Sequence, residues 1–263
     1  MPEGDNESVE LWSVAERLAD AAREETLRHF RARNLTAASK SEHFDPVTIA
    51  DRNAESLMRA ILGKLRPEDG ILGEEFEPRH GVSGLTWVLD PIDGTRGFIS
   101  GTPTWGVLIA LADVDGPILG LIDQPYIGER FMGGRGRAVL EGPHGSRPLK
   151  ASGTTSLADA TLFTTFPEVG TLAEAAAFRR VSGKVQLTRY GCDCYAYALL
   201  AAGQIDLVIE AGLNAYDIQA PIAVIEAAGG IVSDWEGKPA HDGGRALAAA
   251  TPELHEAAME AIA

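Results

Sequence analysis

The order of apolar runs along the chain changes near Ala151, and this change restricts the fold to a layered arrangement of two unlike halves. Before it, short runs bounded by Gly, Pro and Asp follow one another: GILGEEF, TWVLDP, GVLIALAD, PILGLIDQP and RFMGG. Val114, Asp115 and Gly116 join the third run to the fourth as a hairpin-like turn. Two amphipathic helices precede them. From Ser8 to about Arg33, apolar residues fall at Leu11, Ala15, Leu18 and Ala22; a second series comprises Ala54, Leu57, Met58, Ile61, Leu62 and Leu65. Residues 1–150 therefore read as an N-terminal α+β half, two helices on an antiparallel sheet. After Ala151, strand-like ATLFTTF, VQLTRY and IDLVIEA alternate with helix-like TLAEAAAFRRV and DCYAYALLAAG. Tyr216 to Ala228 is a helix stopped by Gly229-Gly230, and Thr251-Pro252 opens a last short one. Residues 151–263 read as an α/β half stacked beside the first.

Bulk properties exclude several function classes. The 263 residues carry a formal charge of −15, with 23 Lys plus Arg against 38 Asp plus Glu and no basic block. Nucleic acid is a poor partner for such a surface. Cys192 and Cys194 are the only cysteines, too few for a disulfide framework or a zinc knuckle, which suits a reducing compartment. The first ten residues, MPEGDNESVE, are acidic where a signal peptide is basic, and no apolar run approaches the roughly 18 residues of a membrane span. The expectation is a cytoplasmic protein with no membrane partner.

Five acids stand where strands or helices end: Asp51 after VTIA, Glu74 in GILGEE, Asp90 and Asp93 in WVLDPIDGTRGF, and Asp217 at a helix start. Singly, each has an ordinary explanation. Asp51 and Asp217 suit N-caps, Asp93-Gly94 a turn, and Glu74 a solvated loop. Asp90 and Asp93 together are harder to dismiss, because like charges that close repel unless cations lie between them. Hard divalent ions such as Mg²⁺ take oxygen ligands, carboxylates and phosphate oxygens among them. The six histidines are scattered and offer no zinc cluster. If the chain turns into a helix after Asp93, the Gly94 and Thr95 amides form an anion site beside the metals. Metal-assisted hydrolysis of a phosphate ester follows from that pairing.

DPVTIAD (45–51), GEE (73–75), DPIDGT (90–95) and YDIQAPIAVIEAAGG (216–230) resemble, in order and spacing, the signatures of the inositol monophosphatase superfamily of Mg²⁺-dependent, lithium-sensitive phosphatases. The resemblance extends from about Lys40 to Gly230. It implies a layered α/β/α/β/α fold, a homodimer, and an active site within each subunit for a small-molecule phosphomonoester. It also implies roles. Glu74, Asp90 and the Ile92 carbonyl would hold a first metal; Asp90, Asp93 and Asp217 a second; a third, weaker ion near Glu74 would help place the attacking water. Thr95, oriented by Asp51, would help activate that water, while the Gly94 and Thr95 amides receive the phosphate. Two or three Mg²⁺ ions per site are implied, and no phosphoenzyme.

Flanking residues, above all RYGCDCYAYALLAAGQIDLVIEAGLNAYDIQAP, resemble the histidinol-phosphatase branch. Histidinol phosphate carries an ammonium group and an imidazole that protonates near neutral pH, so an extra acid at Asp193 would favour it over a neutral polyol. The plainer reading of Asp193 is a helix cap. Glu210 matches the family position that contacts the leaving group. Arg189 is a third candidate substrate contact, with pairing to a nearby acid as its alternative. Lys40 falls near the cleft in the family pattern, and Trp105 and Tyr195 read as core or dimer contacts. Inositol or sugar phosphates remain the alternative substrates, and a non-catalytic anion-binding protein a more distant one.

Overall fold

A computed structural model describes residues 3–33, 35–39 and 46–263. Lys40 lies outside these residues, as does Asp45 of the first motif. In chain order the elements are α1 (Glu3–His29), β1 (Ala37–Ser39), β2 (Pro46–Thr48), α2 (Ile49–Leu65), β3 (Gly70–Gly73), β4 (Thr86–Asp93), α3 (Thr95–Ser100), β5 (Gly106–Ala112), β6 (Pro117–Gln124), β7 (Glu129–Gly134), β8 (Arg137–Gly142) and β9 (Gly145–Pro148). Then follow β10 (Thr161–Thr164), α4 (Leu172–Ser182), β11 (Leu187–Tyr190), α5 (Cys194–Ala201), β12 (Leu207–Asn214), α6 (Ala215–Ala227), β13 (Ile231–Ser233), β14 (Gly243–Ala249) and α7 (Pro252–Ile262). No helix among the described residues is long and apolar enough to cross a membrane.

The predicted stripes of the first two helices face the sheet. Leu11, Ala15, Leu18 and Ala22 of α1 are fully buried, as are Ala54, Met58 and Leu62 of α2. Leu57 and Leu65 of the second series are instead exposed, because they lie off the i, i+4, i+8 line of α2 that is buried in the core, while Ile61 packs against its margin.

Seven strands form the first sheet in the order β3-β4-β5-β6-β7-β8-β9. Pairing is antiparallel throughout except at β3 and β4, which run parallel from Gly70↔Thr86 to Gly73↔Leu89. The expectation of a purely antiparallel sheet fails there. A long connection, residues 74–85, separates these strands where a hairpin would need a short turn, so the chain can return in the same direction. Strands β8 and β9 escaped the sequence reading as well. In β8 a short apolar centre, Ala138-Val139-Leu140, is flanked by Arg137 and Glu141, and β9 is exposed at the sheet edge, so no core face imprints an apolar alternation on β9.

The second sheet has the order β11-β10-β12-β14-β13. Strand β10 pairs in parallel with β11 and β12, as strand-helix alternation demands; β14 pairs antiparallel with β12 and β13. The resulting layers are α1 and α2, the seven-stranded sheet, α5 and α6, the five-stranded sheet, then α4 and α7. This is the expected α/β/α/β/α arrangement. The central core runs continuously from Val88 and Leu108 of the first sheet through α5 and α6 to Val208 and Ala248 of the second. Helix α6 lies unusually close to the first sheet because β6 and β7 present glycines to it. A Cβ at Gly120 would stand 2.3 Å from the Ala220 carbonyl oxygen, and one at Gly133 would stand 2.4 Å from Val224 Cα.

Candidate active site

Strand β4 carries Asp90 and Asp93 out of the core. Three residues apart on a regular strand, they would point to opposite faces. The register against β5 breaks between them: Asp90 opposes Leu108 and Asp93 opposes Gly106, three steps on one strand against two on the other. The extra residue is a bulge, and it returns the second carboxylate to the side of the first. Asp90 is buried and accepts the Ile92 N–H on Oδ1 at 2.9 Å. Asp93 Oδ2 accepts the Cys194 N–H at 2.6 Å, tying β4 to the start of α5. Gly94 follows at φ 82°, a conformation an L side chain resists, and the chain then turns into the six-residue α3.

Asp51 sits at the third position of α2, and Thr48 rather than Asp51 is the N-cap. The capping reading of Asp51 is thereby corrected: its Oδ2 receives the Thr48 N–H at 2.8 Å and the Thr48 hydroxyl at 2.6 Å, completing a capping box. Its other oxygen is left for the cleft, where the Thr95 hydroxyl lies 3.5 Å from Oδ1 and 3.1 Å from the Ile92 carbonyl. Burial pushes the Asp51 carboxyl up to about 6, with the Glu75 charge adding to it against the Thr48 bonds. Asp217 repeats the arrangement at the third position of α6: the Asn214 N–H donates to its Oδ2 at 2.6 Å, so Asn214 is the N-cap and Asp217 is not.

Oxygens of Asp90, Asp93 and Asp217 all lie within 4.8 Å of one another. Burial first, then the charges of Glu74, Asp93 and Asp217, hold the Asp90 carboxyl well above the usual carboxylate range. Asp93 is raised in the same sense by burial, then by Asp193 and Asp217. Glu74 follows β3 directly and is steered from beneath: Glu55 of α2, fully buried and paired with Arg59 at 2.7 Å, accepts the Glu75 N–H at 2.7 Å.

The opposite wall comes from the second half of the chain. Asp193 occupies the N-cap position of α5, yet its side chain caps nothing. Its backbone is held at φ 46°, ψ −141°, a strained conformation for a non-glycine residue of the order of 1–3 kcal/mol. The carboxylate instead packs over Gly94, where a Cβ would come within 2.8 Å of Asp193 Cγ. Burial raises Asp193 to about 6, partly offset by Arg96. Glu210 on β12 is buried, raised by burial to about 7, and accepts the Thr165 N–H and hydroxyl on Oε1 at 2.6 and 2.9 Å. Together with Glu74, Asp93, Thr95 and Asp217 these residues line a cleft of about 280 Å³. A larger depression of about 490 Å³, lined by Asp113, Glu226 and His255, holds none of the motif acids.

Thus the structure gathers Glu74, Asp90, Asp93, Gly94, Thr95, Asp193, Glu210 and Asp217 at one place, with Asp51 behind Thr95. Arg189 is not among them; it is exposed on the edge strand β11 and does not line the cleft. Trp105 is fully buried against Phe30 and Phe98, and Tyr195 donates its hydroxyl to Glu129 Oε2 at 2.6 Å, which anchors α5 to β7. Sequence reasoning passed over Thr48, Glu55, Arg96, Thr165 and Tyr197. Thr48 was legible as a Thr three residues before Asp51, a capping-box spacing. Arg96, whose guanidinium stacks on Phe166 at 4.9 Å, adjoins the DPIDGT motif. The others meet the site only through contacts between distant segments.

A model of the inositol monophosphatase family matches residues 7–263. The bifunctional phosphatase IMPL2, chloroplastic, of Arabidopsis thaliana is 40% identical over 98% of this chain and 76% of its own length. The histidinol-phosphatase of Mycobacterium tuberculosis is 36% identical over 88% of this chain and 90% of its own. Among solved structures, an inositol monophosphatase from Zymomonas mobilis superposes with a TM-score of 0.86 at 39% identity, covering 100% of this chain and 99% of that one.

Proposed function

Because the chain belongs to the inositol monophosphatase family, a family of metal-dependent phosphatases, we propose that it hydrolyses L-histidinol phosphate to L-histidinol and phosphate with Mg²⁺. The cleft acids fit a hard divalent cation. Three carboxylates with oxygens mutually within 4.8 Å, two of them raised by burial and mutual repulsion, need positive charge to ionise together. Glu74, Asp90, Asp93, Asp217 and the Ile92 carbonyl would hold two or three ions. When bound, such ions stabilise charge on phosphoryl oxygens and acidify a bound water.

The protein's own groups do the rest. A water donating to Thr95 Oγ1 has a route for its proton through the hydroxyl to Asp51 Oδ1, 3.5 Å away. With a pKa near 6, Asp51 is ionised at neutral pH and still basic enough to share that proton. The amides of Gly94 and Thr95, both on the cleft, take the phosphate. Asp193 and Glu210 take the cationic end of the leaving group. All of these residues belong to one chain, so each subunit of the homodimer would hold a complete site.

One observation carries the substrate assignment: Asp193 is held in a strained backbone conformation with its carboxylate over Gly94 rather than on its own helix. A neutral polyol has no need of such a buried acid. The similarity to an inositol monophosphatase of known structure favours inositol 1-phosphate as the second reading. Steady-state phosphate release with Mg²⁺ separates the two. We expect kcat/KM to favour L-histidinol phosphate, and Asp193→Ala to lower that value by roughly tenfold or more, as loss of a charged hydrogen bond does, with a smaller loss on inositol 1-phosphate. Equal preference, or equal losses, would refute the assignment and leave the phosphatase chemistry standing.

A further inference from the structure

Tyr197 lies on α5, outside the metal-binding motifs, and was given no role within the RYGCDCYAYALLAAG segment, yet it lines the same cleft. Its side chain is 3% exposed, and its hydroxyl has no hydrogen-bond partner among the described residues. A buried phenol left unpaired costs about 1–3 kcal/mol relative to one that is bonded, and phenylalanine would fill the same space without that loss. The hydroxyl's electrostatic neighbours are Glu210, Asp93 and Asp217. Of these, Glu210 already receives two donors from Thr165 on Oε1, and Asp93 one from Cys194. The phenol hydroxyl, able both to donate and to accept, therefore stands beside acids on the cleft with neither capacity used among the described residues.

We propose that Tyr197 is a specificity-determining residue whose otherwise unpartnered hydroxyl forms a hydrogen bond with a polar N–H or O–H group of the leaving alcohol. It acts as a third member of the wall formed by Asp193 and Glu210. A leaving group with a cationic nitrogen suits it best, since the surrounding carboxylates draw positive charge to that depth and the phenol adds direction without adding charge. This inference rests on the phosphatase reading of the cleft and extends it to a residue outside the metal set.

The test is Tyr197→Phe, assayed with Mg²⁺ on L-histidinol phosphate, myo-inositol 1-phosphate and a simple alkyl phosphate whose leaving group has no polar atoms. The expected result is a fall of about fivefold or more in the ratio of kcat/KM for a polar ester to that for the alkyl ester, the range a lost hydrogen bond spans. Should that fall appear with inositol 1-phosphate and not with histidinol phosphate, Tyr197 keeps its role and the substrate assignment is lost. An unchanged ratio on both polar esters overturns the proposal, and so does an equal loss on all three esters, which marks a structural role. If the parent protein releases phosphate from none of them, the phosphatase reading itself fails. Calorimetric binding of L-histidinol to parent and variant then decides, an unchanged dissociation constant overturning the proposal and a weakened one supporting it.

Discussion

Replacing Asp93 with Asn should make the metal-free protein more stable while removing its activity. Oxygens of Asp90, Asp93 and Asp217 lie within 4.8 Å of one another. Two full charges at that distance repel by about 3.5 kcal/mol at an effective dielectric constant of ~20. Asp93 is only half-buried and shares its surroundings with groups that protonate to relieve the strain, so the net gain from Asn is smaller, roughly 1–3 kcal/mol. The amide oxygen of Asn still accepts the Cys194 N–H, so no buried donor is orphaned. For a chain of this length the gain corresponds to a rise in Tm of roughly 2–8 °C. The direction with pH follows from the raised carboxyl. A group whose folded pKa lies above its unfolded value of 3.8 is without penalty below that value, and stability is lost as pH rises through the folded pKa. The advantage of the variant should therefore be absent near pH 4 and largest at pH 8. Calorimetric melting of parent and variant at both pH values, with a chelator and with excess Mg²⁺, gives the four numbers needed for each protein. Metal should raise the Tm of the parent protein above that of the variant and reverse their order, while phosphate release by the variant falls to background. A variant no more stable than its parent in chelator at pH 8, or one stabilised by Mg²⁺ as much as the parent, would refute the charge-cluster account.

Asp51→Asn should lower kcat with little change in KM and remove the acidic limb expected near pH 6 in the parent's rate profile, because burial has pushed the Asp51 carboxyl to about that value and only the carboxylate accepts a proton from Thr95. A variant that keeps the limb would take Asp51 out of the proton route. Gly120→Ala should destabilise the fold by about 1–3 kcal/mol, the usual cost of overpacking, since its Cβ would meet a backbone oxygen of α6 that cannot swing aside. The same shift would carry Asp217 away from Asp90, so Mg²⁺ should protect this variant against melting less than it protects the parent; undiminished protection would show that α6 holds Asp217 independently of that contact.

How much of this was legible beforehand depended on the range of each interaction. The helices α1 and α2, the strands β4 to β7 and the strand-helix alternation after Ala151 are written in local periodicity, and the structure places them where the periodicity put them. Strands β8, β9 and β14 were not legible: the apolar centre of β8 is only three residues long, β9 is polar and exposed, and GGRALAA opens on two glycines that read as a turn. Asp51 and Asp217 looked like caps because capping and catalysis favour the same residue at the same place; in the structure one oxygen of each accepts the N-cap backbone N–H while the residue stands at the cleft.

By itself, the sequence determined which residue types stand at the ends of elements: the acids at positions 51, 74, 90, 93 and 217, the Gly94-Thr95 turn, and the acid at 193 within GCDCYAY. These are covalent facts about neighbours in the chain. Tertiary structure alone decided that Asp90 and Asp93 share a side, through a bulge against β5 that no period-2 reading contains. It alone brought Asp217 to them, by seating α6 on the bare backbones of Gly120 and Gly133. It also left Arg189 outside and drew Tyr197 in. The reason is the same in each case: a local pattern states which face of an element is apolar, whereas the position of a side chain in a cleft depends on how closely two elements pack, and that is set by residues of both.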